Sequence, residues 1–321
     1  MSSPGLYPAT PPRREWQLAV DGGHRLHVRE YGRADGIPAL VLHGGPGSGC
    51  SPLQPRFFDP ARYRVICPDQ RGAGLSQPRG GSEHNTTADL IADLLRLREH
   101  MRLEDWLVVG GSWGATLAVA YAAAEPEAVR ALLLRSSFIG RRADVTAFFE
   151  GAAGQRPRAW QRLRGFVPEG RDALQALADA LHGPDPALRE RAAQAFWCWE
   201  QALVAGDEDR APPLGEALAF QVDRLRVQTH YLLHDCWLTA PPLLERCAAL
   251  PRVPTLLLHA RDDLVCPAAG ALELHARLPH ARLQWTEQGG HDPSQPQMAA
   301  AMVAALDRYA ADGRFAAEAP P

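Results

Sequence analysis

The amino-acid sequence predicts an α/β fold, with a mostly parallel central sheet flanked by helices and an inserted helical block. Three observations support this fold class. Short apolar runs recur along the chain without polar–apolar alternation, as is typical of parallel strands that are buried on both faces. Helical patterns separate these runs, and such alternation implies right-handed crossovers between strands. The alternation stops near residue 138 and resumes near residue 251, which predicts one large insertion.

The predicted elements begin after residues 1–15, a stretch rich in Pro and Ser that is expected to form a loosely docked arm. Residues 17–20 and 25–31 then predict a hairpin with its turn at 21–23. The apolar runs that predict strands are 39–42, 63–67, 106–109, 131–134, 255–259 and 282–285. The periodic segments that predict core helices are 88–101, 115–124 and 295–309.

The insertion divides the chain into a core and a cap. Residues 16–137 and 251–321 supply the predicted core, and residues 138–250 supply a helical cap rich in Arg and Ala. The prolines expected to break the cap into helices are Pro157, Pro168, Pro184, Pro186, Pro212 and Pro241.

Composition excludes several classes of protein. The 321 residues are 46% hydrophobic and 22% charged with a net charge of -3, values that exclude a disordered, fibrous or coiled-coil chain. The arginines are scattered among acids, and no apolar run reaches membrane length, so we expect neither a nucleic acid nor a membrane as partner. No secretory signal and no metal-ligand spacing of the six cysteines are apparent. We therefore expect a cytoplasmic protein with reduced thiols and no metal or organic cofactor.

The segment from Gly110 to Gly114, Gly-Gly-Ser-Trp-Gly, joins a predicted buried strand to a helix of small residues. This context is what a nucleophile elbow requires, because the turn is so tight that the residues two before and two after the serine must be very small. The turn projects the serine hydroxyl clear of the sheet, at the positive end of a helix. The sequence therefore predicts Ser112 as a nucleophile.

A serine nucleophile needs a histidine base, and the base needs an acid to hold its tautomer. With this elbow the chain order is serine, acid, histidine. The turn after the strand at 255–259 offers Asp262 and Asp263, and the turn after the strand at 282–285 offers His291. His259, within a strand, and His280, before one, are weaker candidates for the base, since packing or solvent accounts for them.

The oxyanion of such a reaction needs two N–H donors aimed in advance. The N–H of Trp113, just after the nucleophile, is one candidate. The other comes from the loop His-Gly-Gly-Pro-Gly at 43–47, where we favour Gly45 with Gly44 as the next choice. A further loop at 69–74 contains Asp69 and Arg71, which we interpret as a network that pins the loop, not as a covalent nucleophile.

Four segments carry a family resemblance: HGGPG at 43–47, DQRGAGLS at 69–76, GGSWGATLA at 110–118 and ARDDLVCP at 260–267. Together they resemble the proline iminopeptidases, prolyl aminopeptidases of the α/β-hydrolase superfamily, over roughly residues 16–311. The resemblance implies an α/β-hydrolase fold with a helical cap. It also favours Asp263 over Asp262 as the acid, since the family's acid is followed two residues later by Cys-Pro, and it assigns the base to His291.

The resemblance further implies that the cap holds the free amine of the substrate. A Trp-Glu pair of the family is matched by Trp199 and Glu200. An ammonium taken from water into an aromatic cleft must be paired, because an isolated buried charge is costly. Trp197, Trp199 and Phe138 are then expected to form an apolar slot for the pyrrolidine ring.

Two departures from the family pattern affect this substrate pocket. The segment Arg-Val-Gln-Thr-His-Tyr at 226–231 has Gln228 where the family has a second acid. A glutamine accepts a hydrogen bond from an amine but brings no charge. Arg135 is kept and is expected to orient a cap carboxylate, but the glycine that follows it in the family is Ser136 here.

These features predict a serine hydrolase that releases N-terminal proline from peptides through an acyl-enzyme. An esterase or amidase acting on small neutral or aromatic acyl compounds without a free amine is the alternative, and Gln228 favours it. A non-enzymatic binding protein is disfavoured because every part of the catalytic machinery is present. Dehalogenase and epoxide hydrolase chemistry would need an aspartate in place of Ser112.

Overall fold

A computed structural model describes residues 5–315, and its central element is one eight-stranded sheet. The strands are β1 (Arg14–Ala19), β2 (Arg25–Gly32), β3 (Ile37–Leu42), β4 (Tyr63–Pro68), β5 (Trp106–Gly111), β6 (Val129–Arg135), β7 (Thr255–Ala260) and β8 (Arg282–Thr286). Their order is β1-β2-β4-β3-β5-β6-β7-β8. Strand β2 pairs antiparallel with β1 and β4, and the other pairs are parallel. The predicted mostly parallel sheet is therefore confirmed.

Helices cover both faces of the sheet and form the insertion. Those of the core are α1 (Thr87–Met101), α2 (Trp113–Ala124), α9 (Ala268–Arg277) and α10 (Pro296–Asp312). Those of the insertion are α3 (Arg142–Thr146), α4 (Pro157–Phe166), α5 (Ala173–His182), α6 (Pro186–Ala205), α7 (Gly215–Leu233) and α8 (Leu243–Arg246). Helix α9 was not predicted from the sequence.

The unbroken apolar runs of the central strands are explained by two hydrophobic layers. Along β5, Leu107 and Val109 face the layer that contains Met298 and other residues of α10. Val108, between them, faces the opposite layer, which contains Leu117 of α2. Because successive side chains of a strand point to opposite faces, a strand covered on both faces must be apolar at every position.

The N-terminal segment is docked on the core before the first strand begins. The Tyr7 N–H donates to the carbonyl of Arg56 over 2.9 Å, and the Tyr7 hydroxyl donates to Asp307 over 2.8 Å. Strand β1 then begins at Arg14. Residues 1–4 of the predicted arm lie outside the described residues. Between residues 5 and 315, none of the helices combines the length and apolar character needed to span a bilayer.

Helices α6 and α7 of the insertion face Ser112 and His291, which follow the carboxyl ends of β5 and β8. Pro157 and Pro186 occupy the first positions of α4 and α6, where the missing N–H of proline removes no helical hydrogen bond. Helix α7 rests on the loop at 43–47, and the approach is so close that a Cβ on Gly47 would lie 2.5 Å from the carbonyl oxygen of Arg224. This contact places one face of α7 directly above the glycine-rich loop.

Candidate active site

The turn between β5 and α2 holds Ser112 in a conformation that few residues adopt. Its φ is 58° and its ψ is -124°, a strained geometry that persists where the surrounding structure imposes it. A Cβ on Gly110 would lie 2.2 Å from the carbonyl oxygen of Gly114, and a Cβ on Gly114 would lie 2.0 Å from the carbonyl oxygen of Leu42. The two flanking glycines are thus required by backbone packing, as the sequence predicted.

Asp263 and His291 form a hydrogen-bonded pair at the ends of neighbouring strands. His291 Nδ1 lies 2.8 Å from Asp263 Oδ2, and Oδ1 accepts the N–H groups of Val265 and Cys266 over 2.9 and 2.8 Å. Burial by itself raises the pKa of Asp263, but His291 and the hydrogen bond from the Cys266 N–H outweigh it and lower the pKa to about 2. The carboxylate is therefore ionised against Nδ1, which leaves Nε2 of His291 for proton exchange.

The competing acid and base candidates have other partners. Asp262 is exposed and accepts the N–H groups of Gly289 and Gly290 over 3.3 and 2.9 Å, so it holds the turn that carries the histidine. His259 is 1% exposed and its Nε2 contacts the carbonyl of Cys266 over 2.8 Å. His280 lies on the surface.

The glycine-rich loop passes directly beside the nucleophile. A Cβ on Gly44 would lie 3.3 Å from Ser112 Cβ, so a side chain there would crowd the serine. Gly45 has a φ of +113°, and a Cβ on it would lie 2.7 Å from the nitrogen of Gly47. Trp113 is the first residue of α2, so its N–H has no acceptor within the helix. Of the three predicted donors, Gly44 and Trp113 therefore adjoin Ser112, and Gly45 lines the same cavity as the serine.

Gln70 links these two loops, and the sequence analysis did not single it out. Its side-chain oxygen accepts the indole N–H of Trp113 over 2.8 Å, and its Nε2 donates to the carbonyl of His43 over 3.0 Å. Its backbone N–H donates to His43 Nε2 over 2.9 Å. Because burial lowers the pKa of His43, that ring stays neutral and accepts this bond. Gln70 thereby fixes the loop at 43–47 relative to the elbow.

The rest of the loop at 69–76 is pinned by side chains. Arg71 donates from Nε and Nη2 to the two carboxylate oxygens of Asp93 over 2.6 and 2.7 Å. Asp69 accepts the backbone N–H groups of Cys50 and Leu75 over 2.6 and 3.0 Å. These contacts agree with the interpretation of this segment as a network that fixes the loop.

A cleft of about 430 Å³ separates the core from the cap, a size suited to a small ligand. Its core side is lined by Ser112, His291, Gly44, Gly45, Arg135 and Cys266. Its other side is lined by residues of the insertion, among them Phe138, Phe148, Trp197, Glu200, Gln221, Arg224 and Gln228. The predicted nucleophile and base thus open into the same cavity as most of the predicted substrate pocket.

A closed polar cluster lies at the cap end of this cleft. Arg224 Nη1 lies 3.3 Å from Glu200 Oε1, and Nη2 contacts Oε2, so the ion pair is bidentate. Gln228 joins it, since its Nε2 donates to Glu200 over 2.9 Å and its Oε1 accepts from Arg224 over 2.8 Å. The sequence analysis missed Arg224, although it stands four residues before Gln228 and such residues share a helix face.

Two predicted pocket residues have roles other than those expected. Trp199 is fully buried in the cap, where its indole N–H donates to the carbonyl of Phe148 over 3.1 Å. The prediction that Trp199 contacts the substrate is therefore wrong, because it points into the cap core while Trp197 lines the cleft. Arg135 lines the cleft, but it donates to the carbonyl of His291 over 2.9 Å. The expectation that it orients a cap carboxylate is also wrong, because Arg224 binds Glu200.

The fold agrees with that of solved structures of low sequence identity. VinJ superposes with a TM-score of 0.62 at 19% identity, covering 92% of this chain and 99% of that one. An esterase from Rhodococcus sp. superposes with a TM-score of 0.58 at 20% identity, covering 93% and 98%. At these identities the likeness establishes the fold alone.

Sequence comparisons are more specific. Residues 38–294 match the family model described as the alpha/beta hydrolase fold. The chain is 39% identical to a proline iminopeptidase of Xanthomonas citri over 318 residues, covering 95% of this chain and 99% of the relative. It is 36% identical to a proline iminopeptidase of Arabidopsis thaliana over 313 residues, covering 95% and 82%. The chain therefore belongs to the proline iminopeptidase family of the α/β hydrolases.

Proposed function

We propose that this protein is a serine hydrolase that releases N-terminal proline from peptides. The observation that carries the proposal is the pairing of His291 with Asp263 beside Ser112, in a cleft closed by the cap. The similarity to relatives named proline iminopeptidase over nearly their whole length supports the substrate. Small peptides are therefore the proposed partners.

In the proposed acylation step, Ser112 Oγ attacks the carbonyl carbon of the N-terminal proline. Nε2 of His291 takes the serine proton, and Asp263 stabilises the imidazolium through Nδ1. The N–H groups of Gly45 and Trp113 hold the oxyanion, which is the largest contribution to lowering such barriers. The C–N bond then breaks, and His291 returns the proton to the leaving amine.

In the proposed deacylation step, water attacks the prolyl ester on Ser112. His291 takes a proton from this water and gives it to Ser112 Oγ as the ester bond breaks, so proline leaves and the enzyme is restored. No metal or organic cofactor has a part in either step. Gln70 is proposed as a positioning residue, because it connects the loops that carry the oxyanion donors.

The cap supplies the proposed recognition of proline. Phe138, Phe148 and Trp197 line the cleft near Ser112 and are proposed to pack against the pyrrolidine ring. Glu200 is proposed to contact the substrate's amine. Recognition of the amine in this way admits only the first residue of a peptide to the nucleophile.

The second candidate is an esterase or amidase acting on acyl groups that lack a free amine. The observation that favours it is the pairing of Glu200 with Arg224, since a carboxylate already neutralised attracts an ammonium less strongly. This alternative keeps the same three catalytic residues and changes only the substrate.

One comparison of substrates separates the two functions. We would measure kcat/KM for a proline arylamide, its N-acetylated form and a short-chain aryl ester. For a proline-releasing enzyme we expect the free-amine arylamide to be preferred and N-acetylation to abolish cleavage. Preference for the ester together with tolerance of acetylation would establish the second function instead.

We also propose that the protein works in the cytoplasm. All six cysteines are free thiols, and five of them are buried. Proteins of reducing compartments keep their cysteines in this state.

A further inference from the structure

Glu200 is the single carboxylate among the described residues that line the cleft. Both of its oxygens are bound by Arg224, and Oε1 also accepts from Gln228. The side chains of Arg224 and Glu200 are only 10% and 12% exposed, so solvent screens the pair weakly. The one negative charge available to a ligand is therefore already neutralised by a cation of the protein.

The guanidinium of Arg224 is held in this position by further contacts. Its Nε donates to Gln221 Oε1 over 2.6 Å, and Nη1 donates to Gln228 Oε1 over 2.8 Å. With the two bonds to Glu200, four of its five N–H donors are used. The guanidinium of Arg224 is therefore held against Glu200 in the wall of the cleft.

The charges facing the cleft disfavour a second cation. Besides Arg224 and Glu200, the described lining contains Arg135, which lies behind the elbow and is 7% exposed. The carboxylate of Asp263, behind His291, offsets the charge of Arg135, so the cation that an ammonium meets beside Glu200 is Arg224. An ammonium that approaches Glu200 must therefore come close to a like charge, which opposes binding.

We infer that Arg224 is a specificity-determining residue that competes with the amine of the substrate for Glu200. This inference rests on the proposed function, in which Glu200 contacts that amine. A carboxylate presents about four lone-pair positions, and three of those on Glu200 are occupied. The amine must therefore bind at the remaining position, beside the guanidinium, or displace Arg224. Arg224 thus weakens the binding of free-amine prolyl substrates and leaves uncharged acyl substrates unaffected.

Replacement of Arg224 by methionine tests this competition. For Arg224→Met we expect KM for proline p-nitroanilide to fall about tenfold, equivalent to about 1.4 kcal/mol of binding free energy. The kcat should change less than about twofold, because the ammonium contact is the same in the ground state and the transition state. KM for p-nitrophenyl acetate should not change. An unchanged KM for the arylamide, or equal changes for both substrates, would overturn the inference.

Two control variants separate charge from shape and position. Arg224→Lys keeps the cation, so we expect KM for the arylamide to stay high. Arg171→Met removes an exposed cap arginine that pairs with Asp179 over 2.6 Å, far from the lining of the cleft, and should leave both substrates unaffected. A fall in KM in either control would show that charge at position 224 is not the cause.

Arg224→Met leaves the buried carboxylate of Glu200 without its partner, and such a loss often destabilises a protein. A second test avoids this problem. Gln228→Glu keeps Arg224 and adds one negative charge to the cluster, so two carboxylates share one guanidinium and the cluster becomes net negative. We expect KM for proline p-nitroanilide to fall in this variant too. If Arg224→Met fails to fold, an unchanged KM in Gln228→Glu is sufficient to reject the inference.

The inference and the proposed function fail in different ways. Inhibition of p-nitrophenyl acetate hydrolysis by pyrrolidine, a cation that is not cleaved, measures affinity for the amine without peptide turnover. Tighter inhibition of Arg224→Met than of the wild type, with no proline released by the wild type, would reject the proposed function and retain the inference. Equal inhibition of both, with proline released, would reject the inference alone.

Discussion

The two sides of the cleft are built in different ways. On the core side, Ser112, Asp263 and His291 each follow a strand of the sheet, so strand ends and tight turns set the positions of their backbones. On the cap side, Glu200 and Arg224 come from two packed helices and hold each other through side chains. The comparison teaches that the core side is anchored to the ends of the strands and is expected to serve any acyl substrate, whereas the cap side is expected to select among substrates.

The largest expected effect is a loss of catalytic activity from a substitution on the core side. Ser112→Ala removes the nucleophile, so we expect kcat/KM to fall by about four or more orders of magnitude for both the prolyl arylamide and the aryl ester. The thermal unfolding midpoint should stay close to that of the wild type, because alanine keeps the Cβ and removes only the hydroxyl. Turnover near the wild-type level would remove Ser112 from the mechanism.

The second prediction sharpens the assignment of the acid with a matched pair of variants. Asp263→Asn should lower kcat about 10⁴-fold for both substrates, since an amide presents the wrong partner to His291 Nδ1. Asp262→Asn changes the neighbouring residue, which only accepts N–H groups of the turn, and should lower kcat less than about tenfold. The reverse ranking of the two variants would assign the acid to Asp262.

The third prediction addresses the cap side. Glu200→Gln removes the only carboxylate of the described cleft lining and leaves the charge of Arg224 unopposed. We expect kcat/KM for the free-amine arylamide to fall more than about tenfold and that for the ester to fall less than about threefold. Equal losses on both substrates would mean that Glu200 serves the structure of the cap alone.

The smallest expected effect distinguishes two tryptophans of α6. Trp199→Phe removes the hydrogen bond to Phe148 and opens a void in the cap, so the free energy of unfolding should fall by about 1–2 kcal/mol while KM stays within about twofold. Trp197→Phe alters the cleft lining instead, and should raise KM for the arylamide with a loss of stability below about 0.5 kcal/mol. Chemical denaturation and steady-state kinetics measure both quantities, and the opposite pattern would place Trp199 in the substrate pocket.

The strands and the elbow of the core side were predictable because they follow from local backbone requirements, whereas Gln70, which joins two loops through side-chain hydrogen bonds, was missed. The elbow needs Gly110 and Gly114 where a Cβ would meet carbonyl oxygens at 2.2 and 2.0 Å. The apolar runs identified the strands because a strand that is buried on both faces of the sheet is apolar at nearly every position. Helix α9 was not predicted because its sequence, Ala-Ala-Gly-Ala-Leu-Glu-Leu-His-Ala-Arg, is rich in small residues and contains a glycine. It therefore lacks the long apolar stripe that indicates an amphipathic helix.

By itself, the sequence predicts the α/β sheet, the inserted cap and the nucleophile Ser112, because strand ends and tight turns impose recognisable residue types. The turns also offer His291 as the base, but they offer both Asp262 and Asp263 as the acid, and the prediction of Asp263 came from the family resemblance. Only the tertiary structure decided the partners on the cap side. Whether Arg135 or Arg224 binds Glu200 depends on how two helices pack over the sheet. Such pairings join residues distant in the chain, and no local backbone rule selects among them, so their outcome is set by the three-dimensional packing alone.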